Sequence, residues 1–172
     1  MLTPTHQAIK QHIQQASVCY ADETRYHRGN EHRWMWIAVT PIAACFMTAF
    51  GRGQDAARRL CGTEPSGLYI TDQYAGYRFI NPSQRQLCWA HVVRNVAAIA
   101  ESVDSQNQVI ERLMLLSAVV FRTGHRYEEG QLSDSCYLRR MCRLRTSWRK
   151  QLEIRRDYPG DQLSTLSSAS GQ

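Results

Sequence analysis

The chain has 172 residues, 43% hydrophobic and 21% charged, with a formal net charge of +6. That length accommodates one domain with a real core plus a small appendage, the apolar content excludes wholesale disorder, and the positive charge favours an anionic partner. The longest apolar runs, 41–50 and 113–121, fall far short of the roughly 18 residues that a membrane span needs, and the polar N-terminus carries no apolar signal core, so a cytoplasmic protein without membrane contact is expected.

Residues 1–16 read as a polar lead-in, helical in texture. From Ser17 the texture turns β-like. A run from Ser17 to Asp22 precedes a polar turn from Arg25 to Arg33, and Trp34–Val39 forms the next run. Thr40-Pro41 breaks it, and Ala44–Phe50 makes a third run that Gly51-Arg52-Gly53 ends. Three closely spaced runs predict an antiparallel meander. Gln54–Leu60 predicts a helix stopped by Gly62. Gly67–Thr71 is a fourth strand and, after a turn at Pro82-Ser83, Gln86–Ala90 a fifth. This order suits an α/β fold whose sheet is antiparallel on one side and parallel on the other, with helices on its faces.

From Val92 the texture is helical, with segments at Val92–Val103, at Gln108–Thr123 ended by Gly124, and from Ser133 to about Arg155. In the last, Tyr137, Met141, Leu144, Trp148 and Leu152 recur every three or four residues as one apolar stripe. Its other face is basic, with Arg139, Arg140, Arg143, Arg149 and Lys150 prominent. Those cations suit a DNA backbone, and they equally suit a solvated helix face. Only Lys10 and Lys150 are lysines, so arginine supplies nearly all the positive charge. Arginine favours bidentate phosphate contacts but also follows a GC-rich coding bias. The Ser-rich tail, 158–172, is expected to be disordered. Six cysteines without a C-x-x-C pair count against a zinc knuckle and read as reduced, buried thiols.

Two aspartates carry the chemistry. Asp22 ends the first strand and Asp72 the fourth. Each alone could cap a turn or a helix. If the first and fourth strands are neighbours, the two carboxylates converge at their carboxyl ends, a geometry that Mg²⁺ (or Mn²⁺) could use to hold a phosphodiester and an attacking water. Strand alternation puts Asp22 on one face with Val18 and Tyr20, and Glu23 on the other. His91 follows Trp89-Ala90 at the end of the fifth strand, where it serves either as a structural hydrogen-bonding residue or as a support or phosphate contact for the site. Arg94, one turn further, faces either solvent or DNA phosphate. A Cys88/His91 thiol nucleophile is discounted, because the two fall on opposite strand faces with no third orienting group.

The segments Ala21-Asp22-Glu23-Thr24, Thr71-Asp72-Gln73-Tyr74-Ala75-Gly76-Tyr77 and Cys88-Trp89-Ala90-His91-Val92-Val93-Arg94 resemble the central catalytic domain of transposases of the insertion-sequence 66 family. The resemblance runs from about Ser17 to Arg156. It implies a DDE enzyme with a ribonuclease-H-like mixed five-stranded sheet and flanking helices, followed by a helical insertion. The expected divisions are a lead-in at 1–16, a ribonuclease-H-like core at 17–104, the insertion at 105–157 and the tail at 158–172. It also implies Asp22 and Asp72 as the first two metal-binding, catalytic carboxylates and DNA, both transposon ends and target, as the partner. Accessory proteins of the element and a homo-oligomer are compatible with it.

In that family a third acid, a glutamate, follows the insertion in a segment with paired asparagines ahead of an Ala-Glu-Arg. Here the chain passes from Arg155-Arg156 through Asp157-Tyr158-Pro159-Gly160 into the Ser-rich tail, and Glu101, Glu111, Glu128, Glu129 and Glu153 all lie in insertion-like helices. The expectation is a C-terminally truncated transposase with a weak two-carboxylate metal site and little turnover alone. Two alternatives remain: a non-catalytic DNA-binding or partner-binding remnant, and an unrelated two-carboxylate metal-dependent nuclease using a helical glutamate.

Overall fold

The computed structural model describes residues 3–102 and 108–156. The chain divides into two compact units between Cys88 and Trp89. The expected tail at 158–172 lies outside the described residues.

In the first unit, helix α1 (Thr3–Gln14) leads into strands β1 (Val18–Arg28), β2 (Glu31–Val39) and β3 (Ala44–Ala49). Helix α2 (Gln54–Cys61) follows, then β4 (Leu68–Thr71), two 3-10 turns (Ala75–Tyr77 and Pro82–Gln84) and β5 (Arg85–Leu87). The sheet order is β3-β2-β1-β4-β5. β1 runs antiparallel to β2 and β2 to β3, whereas β1–β4 and β4–β5 are parallel. This mixed five-stranded sheet with flanking helices is the expected α/β, ribonuclease-H-like arrangement.

Alternation on the long strands selects the covered face. On β1, Cys19 and Ala21 are buried while Val18 and Tyr20 are exposed. Trp36 and Ala38 of β2 and Cys45 of β3 join the buried set. Against them lie Ile13 of α1 and Ala56, Ala57, Leu60 and Cys61 of α2, the helical stripe i, i+1, i+4, i+5. Trp36 is fully buried; truncating such a side chain typically costs about 3–5 kcal/mol. β4 enters the sheet at Gly67, where an added Cβ would collide with the carbonyl oxygen of Ala16. Only glycine lets the chain pass that close before the Leu68 N–H donates to the Ser17 carbonyl at 2.9 Å.

Three sequence expectations change here. The polar stretch from Arg25 to Arg33 is no turn: it is paired hairpin, with Arg25 opposite Trp34 and Arg28 opposite Glu31. Its bend is confined to Gly29-Asn30, with Gly29 at φ +58 and, among the described residues, no non-glycine at positive φ, the pattern of a two-residue hairpin turn with glycine first. The charges hid the alternation. The fifth strand ends at Leu87, and Trp89-Ala90 already belong to helix α3 (Trp89–Ser102). Trp89 therefore packs as a helical residue, edge to face on Trp148 with ring centroids 4.9 Å apart. His91 is a helical residue, not the end of a strand.

The second unit holds α3, α4 (Gln108–Glu128) and α5 (Asp134–Arg156), with α4 packed on both of the others. Helix α4 runs through Gly124, the expected stop, and ends at Gly130 instead. There Gly130 takes φ +73, its N–H donates to the Tyr127 carbonyl (3.0 Å), and the Gln131 N–H donates to the Arg126 carbonyl (2.8 Å). This is a Schellman motif, and it requires a left-handed residue at the place Gly130 occupies. On α5 the apolar stripe is observed: Trp148 and Leu152 are buried, and Tyr137 stacks on Tyr127 at 4.3 Å. All six thiols are free, but only Cys19, Cys45 and Cys61 are buried. Cys142 is exposed because it lies off the α5 stripe. Among the described residues, no helix is long and apolar enough to cross a membrane.

Candidate active site

The parallel pairing of β1 with β4 fixes the level of the two aspartates. Val18 stands opposite Leu68 and Tyr20 opposite Ile70, an offset of 50. Carried two residues beyond the last pair, that offset puts Asp22 and Asp72 at one level at the carboxyl end of β4. Asp22 is half-buried on the face of Val18 and Tyr20, and its Oδ1 accepts the Glu23 N–H at 2.9 Å. Asp72 stands one residue past β4. Its Oδ1 accepts the Tyr74 N–H at 2.9 Å, which folds the 72–74 turn around the carboxylate.

Asp72 is tied into a network that the sequence pattern does not announce. Arg52, in the loop between β3 and α2, donates to Asp72 Oδ2 at 3.3 Å and more closely to Glu23 Oε1, at 2.7 Å from Nε and 2.6 Å from Nη2. Glu23 Oε2 accepts the Tyr77 hydroxyl at 2.6 Å. The Arg52 guanidinium also lies over the Tyr74 ring at 3.9 Å and near the Trp34 ring at 5.1 Å. Behind the turn, Arg85 of β5 donates to Thr71 Oγ1 (2.9 Å) and to the Asp72 carbonyl (2.8 Å). Backbone and guanidinium together fix where Asp72 begins its turn.

Burial governs the protonation of this network. The Glu23 side chain is fully enclosed. Burial pushes its carboxyl above the ordinary value, against the lowering effect of Tyr77 and Arg52, and the Asp72 charge adds to the rise. Burial likewise raises the Tyr77 hydroxyl, with Glu23 next to it as a further cause. Burial lowers Arg85, opposed by Asp72. Glu23 was legible as a residue facing away from Asp22; the missed signal was that this face is the core, where a charge demands a partner. Arg52 lay in a Gly-Arg-Gly break with no pattern to mark it.

His91 and Arg94 lie three residues apart on α3, in the second unit, His91 half-buried and Arg94 exposed. Arg139, Arg140, Arg143, Arg149 and Lys150 are all exposed on α5, away from its apolar stripe. Among the described residues no three His, Cys, Asp or Glu side chains are grouped so as to hold a metal ion. Asp22 on β1 and Asp72 just past β4 are hard oxygen donors. That set suits Mg²⁺, which commonly takes one or two carboxylates and completes its shell with water and substrate phosphate; it does not form a closed protein cage.

The sequence matches the Transposase IS66 family over residues 1–162. The chain belongs to that family. No curated protein and no solved structure matches it. Membership of a transposase family implies DNA as a partner, since transposition acts on DNA.

Proposed function

We propose that this transposase-family chain supplies the first two carboxylates, Asp22 and Asp72, of a DDE-type site that cleaves phosphodiesters at the element's ends and joins them to target DNA. The observation that supports the reading is the β1–β4 register, whose offset of 50, continued past the Tyr20–Ile70 pair, matches Asp22 of β1 with Asp72 just beyond β4. Mg²⁺ or Mn²⁺ bound there would supply Lewis-acid stabilisation and a water or DNA 3′-hydroxyl more acidic than in bulk. The chain's own residues orient the donors. The Tyr74 N–H fixes Asp72 Oδ1. Arg52, anchored by buried Glu23, steadies Oδ2. Glu23 is in this reading a positioning residue, its oxygens already engaged by Arg52 and Tyr77. His91 and Arg94 are candidate phosphate contacts, and Arg139, Arg140, Arg143, Arg149 and Lys150 track the DNA backbone by charge. Two carboxylates without a third hold a second cation poorly, so low turnover is expected from these residues alone.

Titration of the full chain with Mn²⁺, followed by electron paramagnetic resonance, tests the site. Asp72→Asn keeps the acceptor for the Tyr74 N–H but removes the charge; Asp22→Asn does the same for its own turn. Each should weaken Mn²⁺ binding more than about tenfold, because even loss of a residue that merely supports a ligand costs that much. Unchanged Mn²⁺ affinity in the double variant would remove the metal site from these residues.

A further inference from the structure

Strands β1 and β2 outrun the rest of the sheet. β1 pairs with β4 only from Val18 to Tyr20, and β2 pairs with β3 only from Trp34 onward. From Tyr26 to Arg33 the two strands pair with each other alone, closed by the Gly29-Asn30 turn. Asp22 therefore does not end its strand, as the sequence suggested, but lies in the middle of β1, and the ribbon is the carboxyl-terminal part of β1 with the start of β2, running on past the level of Asp22. At about 3.4 Å per residue, Arg28 lies roughly 20 Å along the strand from Asp22.

The chemistry of the ribbon is one-sided. Between Arg25 and Trp34 it carries three arginines and two histidines against a single acid, Glu31. That acid is already matched within the ribbon by Arg33, at 2.6 Å, whose guanidinium also lies over the Phe50 ring at 3.3 Å. Arg25 and Arg28 are exposed, as are His27 and His32, whose rings pair across the strands at 4.5 Å. Arg25 is held over Trp34 at 5.3 Å, a ring it shares with Arg52 of the carboxylate network. Stacking of this kind restrains a long side chain while leaving its N–H groups outward. Charges on an exposed edge also blunt aggregation, but either sign would serve that end. A ribbon whose one acid is matched internally presents net positive charge, which points to a polyanion.

We propose that the β1–β2 ribbon is a DNA-contacting arm, with Arg25 and Arg28 on the phosphate backbone of the duplex whose strand enters the Asp22–Asp72 site. The inference rests on the phosphodiester reading of that site. Duplex DNA admits a two-stranded ribbon in its major groove, and cations on the ribbon meet the flanking phosphates.

Fluorescence anisotropy with a labelled duplex oligonucleotide, titrated with the full chain across a salt series, tests the arm. Arg25→Gln/Arg28→Gln should weaken binding about tenfold or more and flatten the slope of log K against log salt by about 2, roughly 0.9 for each phosphate that an arginine no longer neutralises. Arg25→Lys/Arg28→Lys should keep most of the affinity, which separates charge from folding. In the wild type, the duplex should slow amide exchange across Tyr26–Arg33. Wild-type affinity and slope in the Gln variant, or no slowing in the ribbon, overturns the arm. If only Arg143→Gln/Lys150→Gln on α5 loses binding, the arm falls and the DNA reading stands. If the wild type binds no duplex at all, both fall.

Discussion

Glu23 and Arg52 show how one residue's burial sets the demands on another. Glu23 shares the face of Cys19 and Ala21, so its carboxylate is carried into the core and must find its partners there. Arg52→Ala would strand that carboxylate beside Tyr77 and should destabilise the first unit by about 2 kcal/mol, in the range for leaving a buried polar group short of a partner. The loss should depend on pH. Burial already raises Glu23 above its ordinary value near 4.5, and removing the cation raises it further. For a carboxyl raised in the folded state, the stability contribution is fully present below the ordinary value and is lost as pH rises through the folded value. The deficit of Arg52→Ala, measured as a shift in urea midpoint, should therefore be small in acid and large at neutrality. Adding Glu23→Gln should recover much of the neutral-pH loss. A deficit equal at both pH values would mean that the coupling does not run through Glu23 ionisation.

At the scale of elements, three glycines make contrasting demands. Gly124 sits inside α4 with open space where a Cβ would go. Gly124→Ala should stabilise the second unit by about 0.5–1 kcal/mol, through helix propensity alone. Gly130 ends the same helix at φ +73, and Gly130→Ala should cost about 1 kcal/mol for the left-handed backbone. Gly67→Ala has nowhere to place its methyl, because the obstacle is the Ala16 backbone carbonyl. It should cost about 1–3 kcal/mol as an overpacked contact and loosen the β1–β4 junction that levels the two aspartates. Thermal midpoints rank the three: a Gly67→Ala protein as stable as wild type would show that β4 enters the sheet another way. The same comparison explains why Gly124 reads as a stop in the sequence. Glycine identity does not reveal φ, and only the chain reversal after Glu129 needs the left-handed conformation.

For the whole molecule, the cysteines offer a reporter on both units. Cys19, Cys45 and Cys61 are buried in the first unit, and burial pushes the Cys19 thiol up to about 11 and raises Cys45 and Cys61 as well. Cys142 is exposed on α5. In native protein a thiol reagent should modify Cys142 first and reach Cys19, Cys45 and Cys61 only as the first unit unfolds. Modification of all six at the denatured rate would contradict a core built around those three thiols. The sequence by itself determined the succession of strands and helices along the chain, the α5 stripe, the positions of Asp22 and Asp72 in the sequence and the family, because periodicity, breaks and short motifs are local properties of a chain. Tertiary structure alone decided that 25–33 is a paired ribbon, that Trp89 opens a helix, and that Arg52 joins Glu23 to Asp72. Each of those depends on a partner distant in sequence: Trp34 across the hairpin from Arg25, Trp148 against Trp89, and a core face that leaves Glu23 needing a cation from another loop.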